Sequence, residues 1–387
     1  MLFGNKNQAT KQQHNNAALR QKQCGACPLV AHKTPDVSDY PIDILVISEP
    51  MSDLITKSVT NYDTRHVFTV ECGGLTNQAP ISAVECCAGR KLDMITRLKP
   101  KVVITVGYGP HKLIEEALGH DAPGSGTDLV PLPCRLKGHT FWSFNIPDHE
   151  PFGALIQSQK SIAQMVQNVP MVTTGDISGI SFATTLEDID RAFDDLEQYR
   201  LLACDIETVG LRPYGLDAKL LTIAISNGVV SYGFPLQHSQ APRLQKIALV
   251  QHVLERFYKL VSATKRRIIF HNGAFELEWF ADYLGDQFLY EGTWEDTMAQ
   301  AFLLSDGPKS LDWLIRRHFG FSLKKMSNID VTKLDQMPLD MVLKYNCLDA
   351  KYTYLLYRVQ EKLLAQEGLQ TLYRDTQMER LPAFTLM

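Results

Sequence analysis

The chain alternates between short runs that are apolar at nearly every position and longer stretches in which apolar residues recur every three or four. Ile42, Ile44, Val46 with Leu45 and Ile47 make a strand buried on both faces, and Lys101 to Gly107 repeats the pattern. Between them Leu92, Ile95 and Leu98 have helical spacing, which Pro100 stops. Gly119 to Pro133 is rich in Gly and Pro and predicts a loop, and Thr140 to Phe144 predicts a further strand. Such αβ alternation predicts a first α/β domain with parallel strands that ends near Asn168. Val169 to Ile180 reads as a linker or lead-in strand. Thr184 or Thr185 then offers an N-cap for a helix with Leu186, Ile189, Phe193 and Leu196 inward. Strands over Leu201–Ile206, Leu220–Ser226 and Val229–Phe234 follow, then a helix (Arg243–Leu260), a strand (Arg267–His271) and a helix (Phe275–Leu284). Three strands in succession, followed by alternation, predict a mixed sheet covered by helices. From Thr297 to Gln366 the patterns are almost all helical, and Met1 to about Arg20 shows no apolar period and reads as a flexible tail.

Composition narrows the class of protein. The 387 residues are 45% hydrophobic and 21% charged, ordinary globular usage and too much chain for one typical core. No run approaches the length of a membrane helix, and the N-terminus is polar where a signal peptide is apolar, so a cytoplasmic location, in a bacterium or a phage-infected host, is expected. The net charge of −4 divides into +1 up to Asn168 and −5 beyond it, so any nucleic-acid contact must be local. Eight cysteines are too few for a disulfide scaffold.

Three acidic segments carry candidate chemistry. Asp205 and Glu207 end an apolar strand, and alternation puts both on one face of the sheet; an edge strand facing water reads the same way. In His271-Asn272-Gly273-Ala274-Phe275-Glu276 an apolar strand passes through a glycine turn into a helix, which places a carboxylate at the helix start; dipole stabilisation alone also accounts for Glu276. Tyr345 and Asp349 stand four apart on one helical face, a spacing that also suits an ordinary surface pair.

Taken together, DIETVGL (205–211), HNGAFE (271–276) and YNCLD (345–349), with WEDTMAQAFLL (294–304) and SLDWLIRRHFG (310–320), resemble the 3′-5′ exonuclease domain of family A DNA polymerases (DNA polymerase I-like), within the DnaQ-like DEDDy superfamily that also includes RNase D. The resemblance covers about 182–364. It implies a ribonuclease H-like fold and phosphodiester hydrolysis with two Mg²⁺ or Mn²⁺ ions. Asp205 would bridge both ions, Glu207 and Asp349 would complete the first site, Glu276 would support the second, and Tyr345 would orient the attacking water. The family's second motif usually ends in Asp, and Glu276 reaches one methylene further; retained activity is expected. Leu211 falls where the family wedges an apolar side chain by the terminal base, and Asn272 and Phe275 are candidate substrate contacts. Lys265-Arg266-Arg267, Arg316-Arg317 and Lys324-Lys325 are basic runs able to meet phosphates or simply to face solvent. Cys204 and Cys347 read as buried small hydrophobes.

The first domain, about 21–168, resembles the iron-sulfur members of the uracil-DNA glycosylase superfamily through CGACPL (24–29), the strand DILVIS (43–48), Cys72 and CCAGRKLDMITRLKPKVVITVG (86–107). This implies an α/β/α fold with a 4Fe-4S cluster on Cys24, Cys27, Cys72 and Cys87; zinc on the same thiols is the alternative. Ser48-Glu49-Pro50-Met51-Ser52 lacks the glycines of the family's first motif, and Asn145-Ile146-Pro147 lacks the His of its second, so glycosylase activity is expected to be absent. The expected whole is a phage-like proofreading component that acts on single-stranded 3′ ends and primer-template DNA. A linker at 169–181 joins its two domains, the exonuclease occupies 182–365, and 366–387 begins a thumb-like helix. A polymerase would be supplied by a separate subunit or a longer chain. An RNase D-like exoribonuclease and a catalytically degenerate DNA-binding subunit are the alternatives.

Overall fold

The computed structural model describes residues 41–48, 62–68, 81–118, 129–147, 151–168, 170, 172, 175–241, 246–263, 266–305, 307–327 and 329–386. Cys24, Cys27 and Cys72, and the loop at 49–52, lie outside them. The chain divides into two compact units, Met1–Val172 and Thr173–Met387.

The first unit is a five-stranded sheet in the order β2-β1-β3-β5-β4. Its strands are β1 (Ile44–Ser48), β2 (Thr64–Phe68), β3 (Val102–Val106), β4 (Leu132–Leu136) and β5 (His139–Ile146). The central strands β1 and β3 are buried at every residue, as their almost wholly apolar runs require of parallel strands covered on both faces. Among the described residues it carries three helices, α1 (Ile81–Leu98), α2 (Tyr108–Ala117) and α3 (Pro151–Gln167). The sheet departs from the all-parallel expectation at one edge, where β4 pairs antiparallel with β5. Leu132 and Pro133, expected in a loop, open that strand; Pro133 lacks an N–H to offer a ladder and so suits an edge.

The second unit is a six-stranded mixed sheet in the order β11-β10-β7-β8-β9-β6. In chain order its elements are β6 (Ile180–Phe182), α4 (Leu186–Leu196), β7 (Leu201–Val209), β8 (Lys219–Ser226), β9 (Ser231–Pro235), α5 (Lys246–Ser262), β10 (Arg267–Phe270), α6 (Gly273–Leu284), β11 (Thr293–Asp296), α7 (Thr297–Leu304), α8 (Leu311–Phe319), α9 (Leu323–Ser327), α10 (Leu339–Gln366) and α11 (Leu381–Thr385). Central β7 runs antiparallel to β8 and parallel to β10. Thr185 caps α4 by accepting the Asp188 amide, and Ile189, Ala192, Phe193 and Leu196 face inward, whereas the first-turn Leu186 stays half exposed.

The two faces of the sheet differ in a way that decides where chemistry can sit. Leu202, Cys204 and Ile206 of β7 point into a large core with Phe193, Phe257, Phe280 and Trp279. Ala203, on the other face, shares its side of β7 with Asp205 and Glu207. There α10 crosses the sheet over small side chains: Ala224 packs against Cys347 and Ala350. Gly233 of β9 lies so close to α10 that a Cβ there would stand 2.9 Å from Cys347 Sγ. Small residues therefore let the helix approach the strands closely enough for its polar side chains to reach β7.

Gly233→Ala should destabilise the unit by about 1–3 kcal/mol, the usual range for overpacking. Adding Cys347→Ala should recover part of that loss, because the two atoms that collide are then no longer both present. Chemical denaturation of the single and double variants checks this.

Candidate active site

β7 delivers Asp205 and Glu207 in line, two residues apart on the α10 side. The β7–β8 register skips Leu221 immediately past the Glu207–Thr222 pair, an irregularity that ends regular pairing beside the site. From α10, Asp349 joins them: one oxygen from each of Asp205, Glu207 and Asp349 lies within 4.8 Å of the others. Glu207 and Asp349 are each only 8% exposed.

Glu276 enters from α6. The turn before that helix puts Asn272 in the left-handed region (φ 78°, ψ 51°), which Asn tolerates better than most residues. Asp296 fixes the turn: its carboxylate accepts the amides of Asn272 (3.2 Å) and Gly273 (2.8 Å) while capping α7 through Met298 N (2.7 Å) and Ala299 N (3.2 Å). One carboxylate thus ties together the first turns of two helices, and Glu276 lies in the first turn of one of them. Glu276 stands outside the close triad, yet its charge acts on Glu207, and Asp205 acts on it.

Asn346, fully buried on α10, donates Nδ2 to Asp205 Oδ2 at 2.7 Å and accepts the Thr222 hydroxyl of β8 at 3.0 Å. This bridge orients Asp205 from the helix side and was not assigned a role from the sequence. A lone polar residue in the apolar run of β8, Thr222, was its only local signal. Tyr345 and Asp349, four apart on α10, are both buried and so stand in the site and not on the surface, where the charge of Asp349 acts on the phenol.

Burial pushes Asp205 up to about 7 from 3.8, against the lowering effect of the Asn346 bond. Glu207 is raised by burial and then by the charges of Asp205, Asp349 and Glu276. Glu276 and Asp349 are raised for the same two reasons, burial first and Asp205 next. Tyr345 is held far above the ordinary phenol range, by burial and then by the charges of Asp349, Glu207 and Asp205, so its hydroxyl keeps its proton. Four carboxyls that resist ionisation, with Glu276 Oε2 and Asp349 Oδ1 buried and without a hydrogen-bond partner, make a donor set that suits divalent cations with hard oxygen ligands. Removing such a cluster from water is unfavourable unless positive charge offsets it.

The remaining predicted residues divide. Leu211 is 82% exposed beyond the end of β7, and it lines an open groove with Asn272 and Phe275. Of the run at 265–267, Lys265 lies outside the described residues, Arg266 is buried and donates to the carbonyls of Leu260 and Glu197, and Arg267 pairs with Glu295 at 2.7 Å. Arg316 is likewise buried. Cys204 and Cys347 are buried, as are Cys87 and Cys134 in the first unit.

A carboxyl whose pKa is raised by folding stabilises the fold below its unfolded pKa and loses that contribution as pH rises through the folded value. For Asp205 the window runs from 3.8 to about 7. Asp176, held low first by its bond from Lys351, acts in the opposite sense and only at more acid pH. Without divalent ions the melting temperature of the second unit should therefore fall between pH 5 and 8. Mg²⁺ or Mn²⁺ should raise it more at pH 8 than at pH 5, and Asp205→Asn should flatten both effects; calorimetry across this range checks the sign.

Residues 180–365 match a family model described as 3′-5′ exonuclease. DNA polymerase I of Borreliella burgdorferi is 24% identical over 225 residues, 57% of this chain and 24% of that protein, so the chain spans about a quarter of that relative. Among solved structures, Escherichia coli RNase D, described as an exoribonuclease involved in structured RNA processing, is 14% identical with a TM-score of 0.41, covering 54% of this chain and 50% of that one. The catalytic core of RRP6 from Trypanosoma brucei is 18% identical with a TM-score of 0.42, covering 69% and 68%. Across residues 180–365 the second unit is thus similar to the 3′-5′ exonuclease domain family.

Proposed function

We propose that the chain shortens DNA from the 3′ end of an unpaired strand, as the proofreading component of a family A DNA polymerase. The convergence of Asp205, Glu207 and Asp349, with Glu276 and Tyr345 beside them, carries this reading. The sequence likeness to a DNA polymerase I favours DNA over RNA.

Asp205, Glu207, Asp349 and Glu276 would hold two Mg²⁺ or Mn²⁺ ions. When bound, these supply a water of lowered pKa and positive charge against the developing oxyanion. Asn346 keeps Asp205 turned toward the centre. Tyr345 acts as a protonated phenol: with its pKa far above neutrality, it orients a water by hydrogen bonding and does not remove its proton. Leu211, Asn272 and Phe275, on the groove beside α6, would receive the terminal bases. Glu276 supplies the carboxylate for which the family pattern has Asp, and a Glu276→Asp gain of several orders of magnitude would show that the native residue limits the rate.

The first unit is proposed to be a non-catalytic glycosylase-like module that docks on DNA or a polymerase subunit, with an iron-sulfur cluster on Cys24, Cys27, Cys72 and Cys87. Its run of parallel strands β2, β1, β3 and β5 supports an α/β/α reading. Of the four thiols, only Cys87 lies within the described residues, on α1.

With Mg²⁺ and a 5′-labelled strand, wild type should give a 3′-shortening ladder on DNA. Asp205→Ala should lower the rate about 10³-fold or more, and Tyr345→Phe about 10²-fold. Faster digestion of the equivalent RNA would move the reading to an exoribonuclease, and no digestion of either to a binding subunit. Purified protein should contain iron and acid-labile sulfide, and should release no uracil from uracil-containing DNA; zinc alone, or base excision above background, would overturn the account of the first unit.

A further inference from the structure

The loop from β7 to β8, residues 210–218, begins at Gly210 (φ +91°) and leaves most of its large apolar side chains bare, though Ala218 at its end packs on the core. Leu211 and Tyr214 are 82% and 72% exposed, and Leu216 is completely so. Leu211 and Tyr214 line an open groove of about 640 Å³ together with Asn272, which precedes α6, and Phe275 and Glu278 of α6. Apolar side chains in water hold no fixed position by packing, so something else must set where Leu211 stands.

That attachment is Glu278. Its two oxygens are shared out: Oε2 takes the Arg212 guanidinium and Oε1 accepts the Tyr214 hydroxyl at 2.8 Å. The Glu278 side chain is only 12% exposed beneath these partners, whereas Arg212 remains 63% exposed. Among the described residues, no other side chain of 210–217 makes a hydrogen bond or an ion pair to the body of the unit. On α6, Phe275 and Glu278 stand three apart on one face, and Glu276 lies between them in sequence on the face toward the carboxylates. The clasp therefore joins this exposed loop to the helix that supplies the fourth acid. It also removes one negative charge from a groove that Asp282 and Asp286 already make acidic, where a polyanionic strand must lie.

We propose that Glu278 is a positioning residue. By clasping Arg212 and Tyr214, it sets the separation of Leu211 from Phe275, and with it the fit of the last unpaired bases of a nucleic-acid strand. This rests on the exonuclease reading above. Flat base faces suit the bare leucine and the phenylalanine of the same groove, and the clasp fixes the distance between the two.

The test uses the full chain and a short unpaired DNA strand with a 5′ fluorophore. It measures kcat and KM in Mg²⁺ and strand affinity by anisotropy in the Asp205→Ala background. Glu278→Ala should raise KM and Kd about tenfold, with kcat within about twofold and the melting temperature unmoved. Glu278→Gln, which keeps an acceptor for Tyr214, should raise them less. Arg212→Ala added to Glu278→Ala should bring no further loss, since both remove one interaction. A fall in kcat with KM intact would overturn the proposal, because Glu278 would then serve Glu276 through α6. Unchanged KM and Kd would overturn it as well. A parent chain that neither binds nor cleaves the strand defeats the exonuclease reading and the clasp together, whereas a cleaving wild type beside an unaltered Glu278→Ala defeats the clasp alone.

Discussion

The second unit is organised around mutual repulsion. Asp205, Glu207, Asp349 and Glu276 are brought together where water is scarce, and each holds its proton more tightly as a result. An arrangement that unfavourable persists only if the elements bearing the charges cannot move apart. The small-residue seam beneath α10, the Thr222–Asn346–Asp205 bridge and the Asp296 carboxylate that ties α6 to α7 each block one direction of escape. The apolar face of the sheet supplies the stability against which this is set, with aromatic packing among Phe257, Phe280, Phe288 and Trp294.

The same division explains how chemistry and stability share one strand. Alternation sends Leu202, Cys204 and Ile206 into the large core and Ala203, Asp205 and Glu207 to the other side. Neither set must compromise with the other, because a side chain on one face of a sheet does not displace one on the opposite face. Peripheral charged residues are spent on structure instead. Lys351, nearly inaccessible on α10, reaches Asp176 and the carbonyl of Ser178, which fastens the start of the unit to the helix that carries Tyr345 and Asp349.

Strands and carboxylates were legible because their signals are local. An apolar run bounded by turn residues names a buried strand, and three short motifs name the acids in order. The contacts that hold those acids were not legible, since they join distant segments: Asn346 meets Asp205 across 141 positions, and Asp296 meets Gly273 across 23. Arg266 and Arg267 show the same limit. Adjacent in sequence, they take different distant partners, the carbonyl of Glu197 for one and the carboxylate of Glu295 for the other. Edge strands β2, β4 and β11 were missed for a related reason, being four or five residues long with polar positions that break the apolar run.

Because α10 contributes both Tyr345 and Asp349, it has a consequence for the order of events in synthesis. A chain emerging from the ribosome presents Asp205 and Glu207 well before the helix that closes over them has been made. Until Leu339–Gln366 settles on the sheet, the acidic cluster lacks its third carboxylate and the phenol beside it. The repulsion among the carboxylates is thus met only after most of the apolar core that must withstand it has been made.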